Sequence, residues 1–128
     1  MKLTVEKILN LLPAVNALCR ASMPYALARQ TAKIAAWLRA ESEAAARRED
    51  ELTRFHGGEY DSATHRNKFT DTESAEAFRR EIMDMLKTEL DFPFEKLDLS
   101  AVKEGLELSP RQLESLDLIA VFESGEAV

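Results

Sequence analysis

Tyr25, Arg29 and Lys33 stand four residues apart. On a helix that spacing puts them on one face. Further along come Arg47, Arg48, Arg54 and His56, and then Tyr60, His65, Arg66 and Lys68 in a polar stretch. Arginine forks match phosphate oxygens, and aromatic rings stack on bases. The mixture suits a nucleotide-like small molecule. The residues expected to hold it are Tyr25, Arg29, Lys33, Arg48, Arg54, His56, Tyr60 and Arg66. A solvated helix face followed by an ordinary polar loop accounts for the same residues without any ligand. Trp37 is expected in a core or an interface.

Other chemistry finds little support. Metal binding needs several ligands at suitable spacing, and the chain offers Cys19, His56 and His65. There is no G-x-S-x-G elbow and no G-x-x-x-x-G-K-[ST] loop. Gly57-Gly58 reads as a helix C-cap rather than a phosphate cradle. Glu41, Glu43, Glu49, Asp50 and Glu51 read as a solvated helix face. Cys19 falls on an apolar stripe, as a structural thiol does. The expectation is a protein that binds and does not catalyse, with no metal and no cofactor.

Helices must position these groups. Val5, Ile8, Leu9, Leu12, Val15, Leu18 and Cys19 recur at helical spacing, which predicts a helix over 5–20 with Thr4 as N-cap. Pro13 removes a backbone donor, so a kink or a break is expected there. A long helix is predicted over 24–56, with Ser22 available as its cap and Pro24 in its first turn. Its stripe is Leu27, Ile34, Leu38, Ala45, Leu52 and Phe55, close to heptad spacing. Many alanines flank the stripe and allow another helix to approach closely. Residues 59–71 read as a polar loop or short hairpin. A third helix is predicted over 72–90, capped by Asp71 or Thr72, with Ala75, Phe78, Ile82, Met85, Leu86 and Leu90 on its stripe.

The last third, 92–123, reads as a small strand–helix–strand cap. Phe92, Phe94 and Lys96 alternate as in a strand, and Pro93 places that strand at an edge. One helical turn is expected from Ser100 to Glu104. Ser109, Pro110 and Gln112 make a helix start with serine at N-cap, proline at N1 and glutamine at N3. Leu118 to Phe122 reads as a second strand, and the tail from Glu123 to Val128 as frayed. The predicted fold is a single α+β, helix-dominated domain over 1–128. It is a long antiparallel helical hairpin with an additional N-terminal helix and a small β-sheet.

The order of elements resembles small proteins of unknown function from tailed bacteriophages and prophages. It runs from the long helix ending in Ala45 to Gly58, through Phe78 to Leu90, to Phe94–Leu99 and the Leu106–Leu116 run with its Leu108-Ser109-Pro110 helix start. The resemblance implies a viral origin and a prefoldin-like hairpin, and supplies no catalytic residues. Two functions follow as expectations. One is a ligand-binding protein that sequesters a nucleotide-derived immune signal of the host. The other is a protein–protein module, either a tail-assembly chaperone or an inhibitor of a host protein.

Composition agrees with this reading. The 128 residues carry 45% hydrophobic and 31% charged side chains, which suits one globular domain. The net charge of −6 speaks against nucleic acid as main partner. Residues 1–40 hold six basic groups and one acid, so they carry +5 and the remainder −11. Such asymmetry fits either mutual attraction of the two ends, within the fold or across a homo-oligomer, or a basic site for an anion near the first helices. A homo-oligomer is expected, because the long helix is too long and too alanine-rich to be covered by the third helix alone. No apolar run approaches the roughly 18 residues of a membrane span. One cysteine and no secretory pattern predict a reducing setting, the host cytoplasm.

Overall fold

The computed structural model describes residues 1–102 and 106–122. Its elements are β1 (Lys2–Thr4), α1 (Val5–Leu18), α2 (Tyr25–Phe55), β2 (Glu59–Asp61), β3 (Arg66–Lys68), α3 (Thr72–Lys87), β4 (Glu89–Asp91), β5 (Leu97–Asp98), α4 (Pro110–Leu116) and β6 (Ala120–Val121). Helix dominates, and the strands form three two-stranded sheets, so the class is α+β as the sequence predicts. In place of one small sheet, β1 pairs with β4 and β2 with β3, both antiparallel, while β5 pairs with β6 in parallel.

Helix α1 starts where Thr4 Oγ1 accepts from the backbone N–H of Lys7 at 3.3 Å. It passes through Pro13 as one helix, so the proline does not split it. Pro13 is on the exposed side, where its ring avoids the core. Ile8, Leu11, Val15 and Leu18 face inward and are fully covered. Helix α2 begins after Pro24 and has no side-chain cap, so Ser22 does not perform that role. Its 31 residues span about 46 Å at 1.5 Å per residue.

The core sits around the first half of α2. Ile34, Ala35 and Leu38 meet Ile8, Leu11, Val15 and Leu18 of α1. Leu97, Leu99, Leu116 and Ile119 close the same cluster from the C-terminal third. The main partner of α2 is therefore α1, with α3 lying along its second half. Ala45, Leu52 and Thr53 are buried there, but no residue of α3 is fully buried. The stripe of α3 is only partly covered. Phe55, expected on the buried stripe of α2, is 79% exposed.

Phe92 and Phe94 do not belong to a strand. They stack edge-on against Trp37, at 5.6 and 6.3 Å between ring centroids. Aromatic packing of this kind outweighs the weak alternation in the sequence. The strand falls instead at Leu97–Asp98, whose partner is Ala120–Val121 as expected for the second strand. Leu97 N–H donates to Ile119 O at 2.9 Å, and Leu99 N–H to Val121 O at 2.7 Å. The link between them is α4, held by a reciprocal capping box of Ser109 and Gln112. The expected turn at Ser100–Glu104 and the tail from Glu123 lie partly or wholly outside the described residues.

The N-cap of α3 is Asp71, whose carboxylate accepts from Ser74 N–H at 2.7 Å. The Ser74 hydrogen bonds hold its pKa below the usual aspartate value. Stability gained from ionised Asp71 is complete above the unfolded value of about 3.9 and is lost as pH falls through the lower folded value. Asp61 and Asp98 are lowered in the same way by their own hydrogen bonds. Asp71→Asn keeps a capping side chain that does not titrate. The variant is expected to lose less thermal stability than the wild type when melted at successive pH values below about 4. Identical acid profiles would contradict this role of Asp71.

Candidate functional site

The face of α2 opposite the core carries much of the chemistry the sequence singles out. With 3.6 residues per turn, Tyr25, Arg29, Lys33, Ala36, Ala40, Arg47 and Arg54 share one side of the helix. All seven are exposed. At the N-terminal end the Tyr25 ring is 76% exposed, and the Arg29 guanidinium carbon lies 5.8 Å from its centroid. That contact is a cation–π pair presented to solvent. Lys33 follows one turn later. Among the described residues Arg29 and Lys33 have no ion-pair partner.

The remaining candidates gather at the other end, and the structure engages most of them locally. Lys33 and Arg48 are 15 positions apart, about 22 Å along the helix. Arg48 Nη1 pairs with Glu51 Oε2 at 3.2 Å. It leans toward α3 and lines a shallow concavity of about 510 Å³ with Glu81 and Asp84. Those carboxylates make that hollow unfavourable for an anion. Arg54 Nε donates to the carbonyl of Asp50 at 3.4 Å.

His56 caps the C-terminus of α2 between the rings of Phe55 and Phe78. Its side chain is 12% exposed, and Nε2 lies 3.4 Å from Glu81 Oε1. That contact lacks hydrogen-bond alignment and acts as an ion pair only when the ring is protonated. His56 thus helps fasten α3 to α2. Gly57 follows at φ +70, the left-handed conformation that a glycine C-cap adopts. The Gly58 Cα lies so close to the Phe69 ring that an added Cβ would fall 2.5 Å from it.

The hairpin β2–β3 holds the last two candidates. Tyr60 is 63% exposed, and its hydroxyl lies 3.2 Å from His65 Nδ1. Arg66 stands across from Asp61 in the register. Lys68 Nζ binds Asp61 Oδ2 at 2.8 Å. The eight predicted residues therefore form two groups. Tyr25, Arg29 and Lys33 are together, and Arg48, Arg54, His56, Tyr60 and Arg66 lie near the far end. A single copy does not bring the two groups into one pocket.

Cys19 is the C-cap residue of α1 and is exposed, not buried on a stripe. Partial cover of the thiol raises its pKa, and the nearby Arg39 opposes that shift. A raised pKa keeps it a thiol rather than a reactive thiolate. Among the described residues no three His, Cys, Asp or Glu side chains are grouped to hold a metal ion. No helix among them is long and apolar enough to cross a membrane.

A sizeable cavity lies elsewhere. A cleft of about 870 Å³ separates α1 from α4, with Lys7, Leu9, Asn10 and Pro13 on one wall and Arg111, Glu114, Ser115 and Leu118 on the other. The sequence reading missed it because its walls are about 100 residues apart and each is an ordinary helix face alone. The signal available was Pro13, a helix-interior proline outside the apolar stripe. Comparison with family models, curated proteins and solved structures returned no match for this chain.

Proposed function

We propose that the protein is a non-enzymatic ligand-binding protein of a tailed phage that captures a nucleotide-derived immune signal in the host cytoplasm. The observation that carries the reading is the solvent-facing Tyr25–Arg29 pair with Lys33 one turn away. The ring offers a stacking surface for a base, and the two cations offer charge for phosphate. The likeness to small phage proteins supplies the setting.

Capture uses two copies. Antiparallel pairing of α2 about Ala40 places position 25 opposite 55, 29 opposite 51, and 33 opposite 47. Arg29 then faces Glu51, which attracts, while Lys33 faces Arg47, which repels. An anion between Lys33 and Arg47 relieves that repulsion. Ala36 and Ala40 let the helices approach closely at the centre. The ligand thus completes the interface, and each dimer holds two symmetric sites.

Tyr25→Ala tests the reading with little risk to folding, because the side chain is exposed. Purified protein is melted with cyclic dinucleotides, cyclic ADP-ribose-type molecules and plain nucleotides. A ligand at a hundredfold excess over its Kd adds about 2.7 kcal/mol of stability. One class is expected to raise the melting temperature, and Tyr25→Ala is expected to weaken its binding by about 1–3 kcal/mol. A flat panel would overturn the reading.

A second reading draws on Phe55 and Tyr60, two largely exposed aromatics close in sequence at the far end of α2. Exposed rings of this kind anchor protein partners. This favours a protein–protein module such as a tail-assembly chaperone or an inhibitor of a host protein. A stable complex that survives Tyr25→Ala and is lost in Phe55→Ala would select it.

A further inference from the structure

We propose that the cleft between α1 and α4 is a separate binding site for a phosphorylated sugar, either free or as the ribose phosphate of a nucleotide. Its volume of about 870 Å³ falls in the ordinary range for small-molecule sites, about 300–1,000 Å³. The site is complete in one copy and does not depend on the exposed face of α2.

Three features of its walls specify the ligand. Lys7 and Arg111 contribute positive charge from opposite walls. Neither is ion-paired among the described residues. A planar guanidinium and an ammonium together suit a phosphate monoester.

The second feature is an excess of acceptors beside those cations. Pro13 has no N–H, so it cannot donate to the carbonyl of Leu9 four residues earlier. Leu9 and Pro13 both line the cleft, and in the proposed site that carbonyl is offered to the ligand. Glu114 adds an acceptor from α4. Inorganic phosphate would be repelled by this carboxylate, whereas hydroxyl groups on a sugar donate to both. Asn10 and Ser115 can serve either as donors or as acceptors to the same hydroxyls. Their side chains have no hydrogen-bond partner among the described residues, while Ser109 and Gln112 are occupied with each other.

The third feature is apolar surface on both walls, from Pro13 on one and Leu118 on the other. Such a surface fits the less polar face of a sugar ring. A bare anion would gain nothing from it.

The test uses the full chain labelled with ¹⁵N and titrated with ribose 5-phosphate, ribose, inorganic phosphate and AMP. Ribose 5-phosphate is expected to shift amide signals of Lys7 to Leu12 and Arg111 to Leu118. It is expected to bind about tenfold or more tightly than ribose or phosphate alone. Lys7→Ala and Arg111→Ala should each weaken it about tenfold, with an otherwise folded spectrum. Both side chains are exposed, so the fold should survive. Tyr25→Ala should leave this binding unchanged, which separates the site from the one on α2. AMP binding more tightly than ribose 5-phosphate at the same amides identifies a nucleotide, and equal binding identifies the sugar phosphate. No shift at these amides with millimolar probe, or phosphate alone binding as tightly, overturns the proposal.

Discussion

Leu38→Ala is expected to remove about 3 kcal/mol of folding stability. Leu38 is fully buried, where α2 meets α1 and the C-terminal third. Truncation loses the transfer free energy of the removed carbons and leaves a cavity that packed neighbours fill only in part. For a domain of this length the melting temperature should fall by about 10 °C. Phe55→Ala supplies the contrast. The sequence places Phe55 on the same stripe, but its ring is 79% exposed. Its removal is expected to change stability by no more than about 0.5 kcal/mol. Equal losses in the two variants, measured by urea denaturation, would contradict the packing described for α2.

Pro13→Ala is expected to stabilise the protein by about 2 kcal/mol. A proline inside a helix costs about 3 kcal/mol through the lost hydrogen bond and the clash with the preceding turn. Loss of the proline constraint on the unfolded chain returns up to about 1 kcal/mol of that gain. Pro13 is exposed, so its replacement opens no core cavity. The same change gives the Leu9 carbonyl a donor within the helix. Sugar-phosphate binding in the α1–α4 cleft should therefore weaken as stability rises. Urea denaturation and the amide titration read the two effects in one variant. Lower stability would show that the Pro13 ring packs productively against α4.

Short-range signals were legible in the sequence, because each closes within one helical turn. Thr4 caps α1, Asp71 caps α3, and Ser109 with Gln112 caps α4. The second strand was legible as the apolar run after the α4 cap, but its partner was expected on Phe92, Phe94 and Lys96 and falls at Leu97–Asp98. The partner of α2 was not legible. Its stripe specifies a buried face but not which helix covers it, and α1 takes the first half of that face. Phe55 leaves the stripe because it lies three residues beyond Leu52, to one side of the Leu38, Ala45 and Leu52 line.

The candidate site was legible in part. Four-residue spacing correctly groups Tyr25, Arg29 and Lys33 on an exposed face. Spacing could not reveal that His56 is enclosed by Phe55, Phe78 and Glu81, or that Arg48 turns toward acidic groups of α3. Both facts depend on where α3 docks. The cleft between α1 and α4 was hidden for the same reason.

Capture without turnover is tested most directly by mass balance. Purified protein is mixed with the signal molecule that stabilises it, the mixture is filtered to remove free ligand, and the retained protein is heated. The account predicts that the filtrate is depleted and that heating returns the ligand with unchanged mass, at one molecule per protein chain. Tyr25→Ala should leave the ligand in the filtrate. Recovery of a ligand of altered mass would contradict the account by showing an enzyme, and an undepleted wild-type filtrate would contradict it by showing no capture.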